Sequence, residues 1–147
     1  MSSNKIAGQR VISGGSGQLW LNGQLYAEAK SIESKATINR ETVQMAGSFD
    51  EDSKITSVSC EGSFILNKVF TREKDFIEAM QNGKDTRFQL YVTLDDKDAY
   101  GRESVQLDNC WFTEITIAQF EVGSILEREF PFGHTFSDIK YPEFIQQ

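Results

Sequence analysis

The sequence predicts a mainly β, α+β domain: a sandwich or barrel with one α-helix packed on it. Three observations lead there. Residues 31–43 and 56–69 alternate polar and apolar side chains over two long runs, the period-two signature of strands. Asn22-Gly23 separates two short apolar runs, a strong hairpin signal because a type I′ turn needs positive φ at both central residues. Only residues 71–83 carry a helical period.

Taken in order, residues 1–17 are rich in Gly and Ser, with SGGSG at 13–17, and read as a flexible arm. Leu19–Tyr26 is the hairpin. In 31–43, Ile32, Ala36 and Ile38 share one face, while Glu33, Lys35, Thr37, Asn39 and Glu41 share the other. Residues 44–55 break the pattern with Phe49, Asp50, Glu51 and Asp52 and read as a polar loop. The second long strand runs from Thr56 to Val69 and presents Ser57, Ser59, Glu61 and Ser63 on one smooth polar face. Strands are ordinarily about five or six residues long, so this pair is expected to project beyond the body of the domain.

The helix is expected over 71–82, with Thr71 as its N-cap, Glu73 and Asp75 at the positive dipole end and Gly83 at C′. Phe76, Ile77 and Met80 would bury against a sheet. A strand follows at Thr86–Leu94, a polar loop at Asp95–Glu103, and one or two strands within Ser104–Phe120. Phe64, Phe88, Trp111, Phe112, Phe120, Phe130 and Phe132 lie in strand-like runs and read mostly as core. A last strand, Ser124–Phe132, is expected to stop at Pro131 and Gly133. The tail 133–147 has apolar anchors without a period, Phe136, Ile139, Tyr141 and Phe144, and reads as an arm that must dock somewhere. The whole, 1–147, is read as a single domain.

Composition narrows the function. The chain has 147 residues and a formal net charge of −7, which argues against a surface that grips phosphate backbones. No apolar run is long enough to span a bilayer, and residues 1–18 lack the apolar stretch of a signal peptide, so cytoplasmic synthesis without export or membrane anchoring is expected. Cys60 and Cys110 are expected to be buried, reduced thiols. His134 is the one histidine and has no evident co-ligand; a structural role is expected, and no metal or cofactor. The segment Asp95–Gly101 faintly resembles a calcium loop, but Leu107 stands where the bidentate acid would be needed, so it reads as a solvated turn. Without a P-loop, a dinucleotide fingerprint or a Ser-centred elbow, the chain does not read as an enzyme.

The serial order of features resembles the tail tube proteins of contractile-tailed phages and phage-derived particles of the PBSX type, over nearly the whole length. The Gly-rich arm leads into VISGGSGQLWLNGQLYAEAK and a charged, alternating strand that ends at a Met-Ala-Gly corner. CEGSFILNKVFTREKDF is similar to the family's strand-to-helix junction, and FQLYVTLDD and the closing EREFPFGH follow in the family's order.

The resemblance implies a structural subunit that forms hexameric rings stacked into a tube inside a sheath, its sheets joining between subunits into a lumenal barrel. It implies as partners further copies of the chain, the sheath, a tape-measure protein, the baseplate and the tail terminator, within a virion tail or a tail-like particle. Under it, Glu33, Lys35, Thr37, Asn39, Glu41, Ser57, Ser59, Glu61 and Ser63 would line a channel that lets DNA pass without binding it. Ile6, Val11, Ile12, Phe49, Asp50, Glu51, Asp52, Phe136, Tyr141 and Phe144, from the arm, the 44–55 loop and the tail, would make contacts between rings and subunits. Two other readings fit the residues: a monomeric β-barrel or sandwich that binds a small molecule or glycan, and a tube protein of type VI secretion.

Overall fold

The computed structural model describes residues 5–147. Eight strands and one α-helix occur among the described residues: β1 Gly17–Leu21, β2 Gln24–Leu25, β3 Ala29–Gln44, β4 Glu51–Asn67, α1 Lys74–Gln81, β5 Phe88–Leu94, β6 Glu103–Phe112, β7 Glu127–His134 and β8 Ile139–Glu143. They form one antiparallel sheet in the order β2-β1-β5-β6-β7-β4-β3, with β8 added beside β6. The β6 strand changes neighbours along its length, pairing with β8 through Ser104–Leu107 and with β7 through Cys110–Phe112. That change folds the sheet around a core of Leu19, Leu21, Phe64, Leu90, Phe130 and Phe132. The mainly β expectation with a single helix holds.

The first hairpin forms as its sequence requires: Asn22 and Gly23 both take positive φ, 50° and 81°. Phenylalanines tie the helix to the sheet. Phe76 of α1 meets the Phe112 ring edge-on at 4.9 Å, and Phe112 lies 4.4 Å from Phe88. On the neighbouring strands Phe64 stacks on Phe130 at 5.0 Å. Gly62 holds this corner open for close approach, since a Cβ there would collide with the Glu33 carbonyl oxygen and the Phe132 ring.

Five sequence expectations are corrected. The helix starts at Lys74 rather than Thr71, because Arg72 and Glu73 are taken by ion pairs with Glu28 and Lys68 that hold 71–73 in a turn. Its end is as expected, with Gly83 at φ 81° donating to Met80. The 44–55 loop is much shorter, since Glu51–Ile55 pair with Gln44–Arg40 and only residues 45–50 turn.

The last strand runs through Pro131 and Gly133 to His134. Thr113 N–H donates to the Pro131 carbonyl, so the missing proline N–H points to the same side, where β6 has already ended, and no bond to β4 is lost. The tail does dock, but as a strand rather than an aperiodic arm: Ile139–Glu143 form β8 on β6 of the same chain. Finally, of the one or two strands expected within Ser104–Phe120 one forms, β6, and none within 113–120. That stretch is part of a loop, and Phe120 is 79% exposed rather than core.

Candidate functional site

The long pair β3–β4 forms one antiparallel ribbon. Glu33 faces Ser63, Lys35 faces Glu61, Thr37 faces Ser59 and Asn39 faces Ser57, so the polar residues of both strands fall on one face. A bulge at Thr56, between the Asn39 and Arg40 pairings, then sets Glu41 opposite Lys54 and keeps the face continuous. The structure thus gathers all nine residues that polarity picked out. It adds Lys54, which sequence reasoning missed because the bulge shifts the alternation by one.

The face carries four acids, Glu33, Glu41, Glu61 and, opposite Val43, Asp52, against two cations, Lys35 and Lys54. Lys35 Nζ lies 3.1 Å from Glu33 Oε1, and Asn39 Nδ2 donates to Ser57 Oγ at 3.0 Å. The surface is polar and mildly acidic, with no cluster of cations to hold a polyanion.

Only the root of the ribbon is embedded. β7 pairs with β4 from Cys60 to Asn67, so β4 beyond Cys60 pairs only with β3. Residues 37–42 and 51–57 are all exposed, Ile38 and Ile55 about half. At the root, His134 is buried and faces Cys60 on one side and Cys110 on the other. Its Nδ1 lies 3.2 Å from the Thr135 carbonyl, which only accepts, so Nδ1 carries the proton and Nε2 accepts from Ser34 Oγ at 2.6 Å. His134 is a strut beneath the ribbon. The two thiols sit two strand spacings apart, about 10 Å, too far for a disulfide. Burial pushes Cys60 up from its ordinary value and Cys110 up to about 12, so neither is a nucleophile.

Among the described residues no group of three or more His, Cys, Asp or Glu is placed to hold a metal ion, and no helix is long and apolar enough to cross a membrane. The Asp95–Gly101 turn uses its carboxylate internally: Asp96 accepts from the Ser13 and Asp98 backbone N–H groups, which hold it below the usual range.

The residues expected at contacts between copies do not form one patch. Phe49 and Asp50 sit at the ribbon tip beside exposed Met45, which was not among them, with Glu51 and Asp52 beginning β4, and Phe49 is fully exposed. Phe136 and Tyr141 border an apolar cleft at the ribbon root together with Ile32 and Ala36. Ile6, Val11 and Phe144 are exposed elsewhere, and Ile12 is half-buried. Sequence reasoning passed over the loop 113–126, where Ile117, Phe120, Val122 and Ile125 are exposed. Its signal was the turn at Gly123, φ 91°, inside an otherwise strand-like run.

Residues 4–143 match the family described as "Phage tail tube protein". The chain belongs to the phage tail tube protein family. As a tail tube protein it is a structural subunit rather than an enzyme. It is 32% identical over 141 residues to the phage-like element PBSX protein XkdM of Bacillus subtilis (strain 168), covering 94% of this chain and 95% of that one. An uncharacterised protein of the same organism, YqbM, matches to the same extent.

Solved structures show the same fold at low identity. A tail tube fold like this one occurs in the PVC sheath-tube complex of an extracellular contractile injection system, in its extended state. The TM-score there is 0.73 at 13% identity, over 98% of this chain and 99% of that one. The tube-terminating cap of the anti-feeding prophage gives a TM-score of 0.71 at 13% identity, again over 98% and 99%.

Proposed function

We propose that this tail tube protein builds the inner tube of a contractile tail or tail-like particle by stacking hexameric rings, with the polar face of the β3–β4 ribbon turned to the lumen. The ribbon itself supports this reading. A two-stranded hairpin is marginal in water, and long bare edges invite pairing, so a ribbon of this length is suited to a neighbour's sheet. Lateral joining around a ring would remove those edges. The inward face would then be the hydroxyl, amide and mildly acidic surface, past which DNA slides without displacing its counterions. The sheath, tape-measure protein, baseplate and terminator are the partners this role requires.

Negative-stain electron microscopy of concentrated protein tests the reading: long hollow tubes are expected for the wild type. Deleting residues 45–50 is expected to leave a folded monomer that makes no tubes. A wild-type protein that stays monomeric at high concentration would refute the proposal and favour the monomeric ligand binder.

A further inference from the structure

The loop 113–126 crosses one end of the core with little to hold it there. Thr113 N–H donates to the Pro131 carbonyl at its start, and Lys68 N–H to the Leu126 carbonyl at its end. Between them, among the described residues, one hydrogen bond ties 114–125 to the rest of the chain: Arg128 Nη2 donates to the Gln119 carbonyl at 2.8 Å. Ile115 packs against the edge of the core, but residues 117–125 are all exposed, the large apolar ones included.

Arg128 stands opposite Leu66 of β4 and alternates with Phe130 and Phe132, so its side chain points to the core face, and it is only 6% exposed. Among the described residues no carboxylate lies within ion-pair distance of it. Its other bond, from Nη1 to the Glu127 carbonyl at 3.2 Å, stays within its own strand, and its buried Nε has no partner. A buried guanidinium without an anion is costly, and here a loop is what covers it. Lifting the loop would return that charge to water and give up one hydrogen bond and the contacts of Ile115. The closed and lifted forms are therefore close in free energy, while the paired strands around them are not. Residues 113–120 alternate as a strand would and no strand takes them, so local preference does not reinforce the closed form either.

We propose that the loop 113–126 is a strap and Arg128 its catch. The strap lifts as a unit about Thr113 and Leu126 while the sheet stays folded. Lifting uncovers the guanidinium and opens the cleft of about 490 Å³ that the strap shares with Ile77, Met80 and Phe112. In a chain of net charge −7, the lifted form alone shows this cation. The inference does not need the stacked-ring reading and is tested on the unassembled chain.

Arg128→Met keeps length and bulk but removes the donors. Chymotrypsin is expected to cut after Phe120 about tenfold faster in this variant than in the wild type. Cutting after Phe49, at the distant ribbon tip, is expected not to change. The thermal midpoint should be no lower, because the buried charge has gone. Arg128→Lys keeps a charge without the fork and is expected both to speed the cut after Phe120 and to lower the midpoint. A labelling experiment reads the underside of the strap directly. The thiol of Ile115→Cys is expected to react with a water-soluble thiol reagent about tenfold faster once Arg128→Met is added, against wild-type thiols that are buried.

Unchanged rates at Phe120 and at the Ile115→Cys thiol would overturn the catch. Faster cutting at Phe49 as well, with a lowered midpoint, would make Arg128 a support of the whole core and overturn the strap. An Arg128→Met chain that does not fold would overturn it too, since the body would then depend on the charge.

Discussion

Arg72 shows how single residues hold the junction between the ribbon and the helix. Its Nε and Nη2 donate to the two Glu28 oxygens at 2.8 and 3.1 Å, and its guanidinium lies over the Tyr26 and Phe70 rings at 4.2 and 4.6 Å. Burial alone would raise the Glu28 carboxyl; the Arg72 hydrogen bonds outweigh that and hold it below the usual range. Both side chains are largely buried, at 14% and 4% exposure, so removing one partner strands a charge. Arg72→Ala is expected to cost about 3 kcal/mol in urea unfolding, and Arg72→Lys to recover little, because an ammonium group makes neither the fork nor the stack. The sequence shows Arg72 only as one more charge near a helix start. Nothing local reveals that its partner lies 44 positions earlier.

Among the elements, β8 has the clearest dependence on pH. Lys140 on β8 bonds Asp108 on β6 at 2.7 Å, and Gln89 and Gln106 donate to the same carboxylate. Gln89, then Lys140 and Gln106, lower Asp108 from its ordinary 3.8 to about 2. Because the folded value is the depressed one, the stabilisation is complete above pH 3.8 and is lost as pH falls from there through about 2. Lys140 is more than half exposed, so screening limits the effect to about 1 kcal/mol or less. Asp108→Asn is expected to melt below the wild type at pH 5, with the gap closed near pH 2.

Elements with a strong local code were readable in advance: the Asn22-Gly23 hairpin, the long alternating strands, and the Gly83 helix end. Those decided by a distant partner were not. Residues 139–143 have no period, and β6 alone makes them a strand. Residues 113–120 alternate well yet find no strand to pair with. Pro131 looked like a terminator because its missing N–H could not be placed until its neighbours were known.

For the whole molecule, the polar face was legible because period two and polarity coincide over many residues, and cross-strand register then brought the two halves together, with one shift at the Thr56 bulge. The contact surfaces were less so. Exposure depends on what the folded body leaves uncovered, which is why Phe120 looked like core and Phe136 and Tyr141 looked like part of a docking arm. If the face lines a channel, its excess of acids over cations should matter more to passage than to assembly. Glu33→Lys with Glu61→Lys is expected to leave tube formation intact while making the tubes retain DNA, with retention falling steeply as salt rises. A filter-binding assay over a salt series would measure it.

The ribbon also bears on how growth begins. Its outer half pairs only with itself, so a lone subunit must bear the entropic cost of ordering it with little in return, whereas a subunit arriving at a finished end has a template waiting. Spontaneous initiation should therefore be slow and extension fast. If rings stack as proposed, light scattering is expected to show a lag that sheared tube fragments abolish.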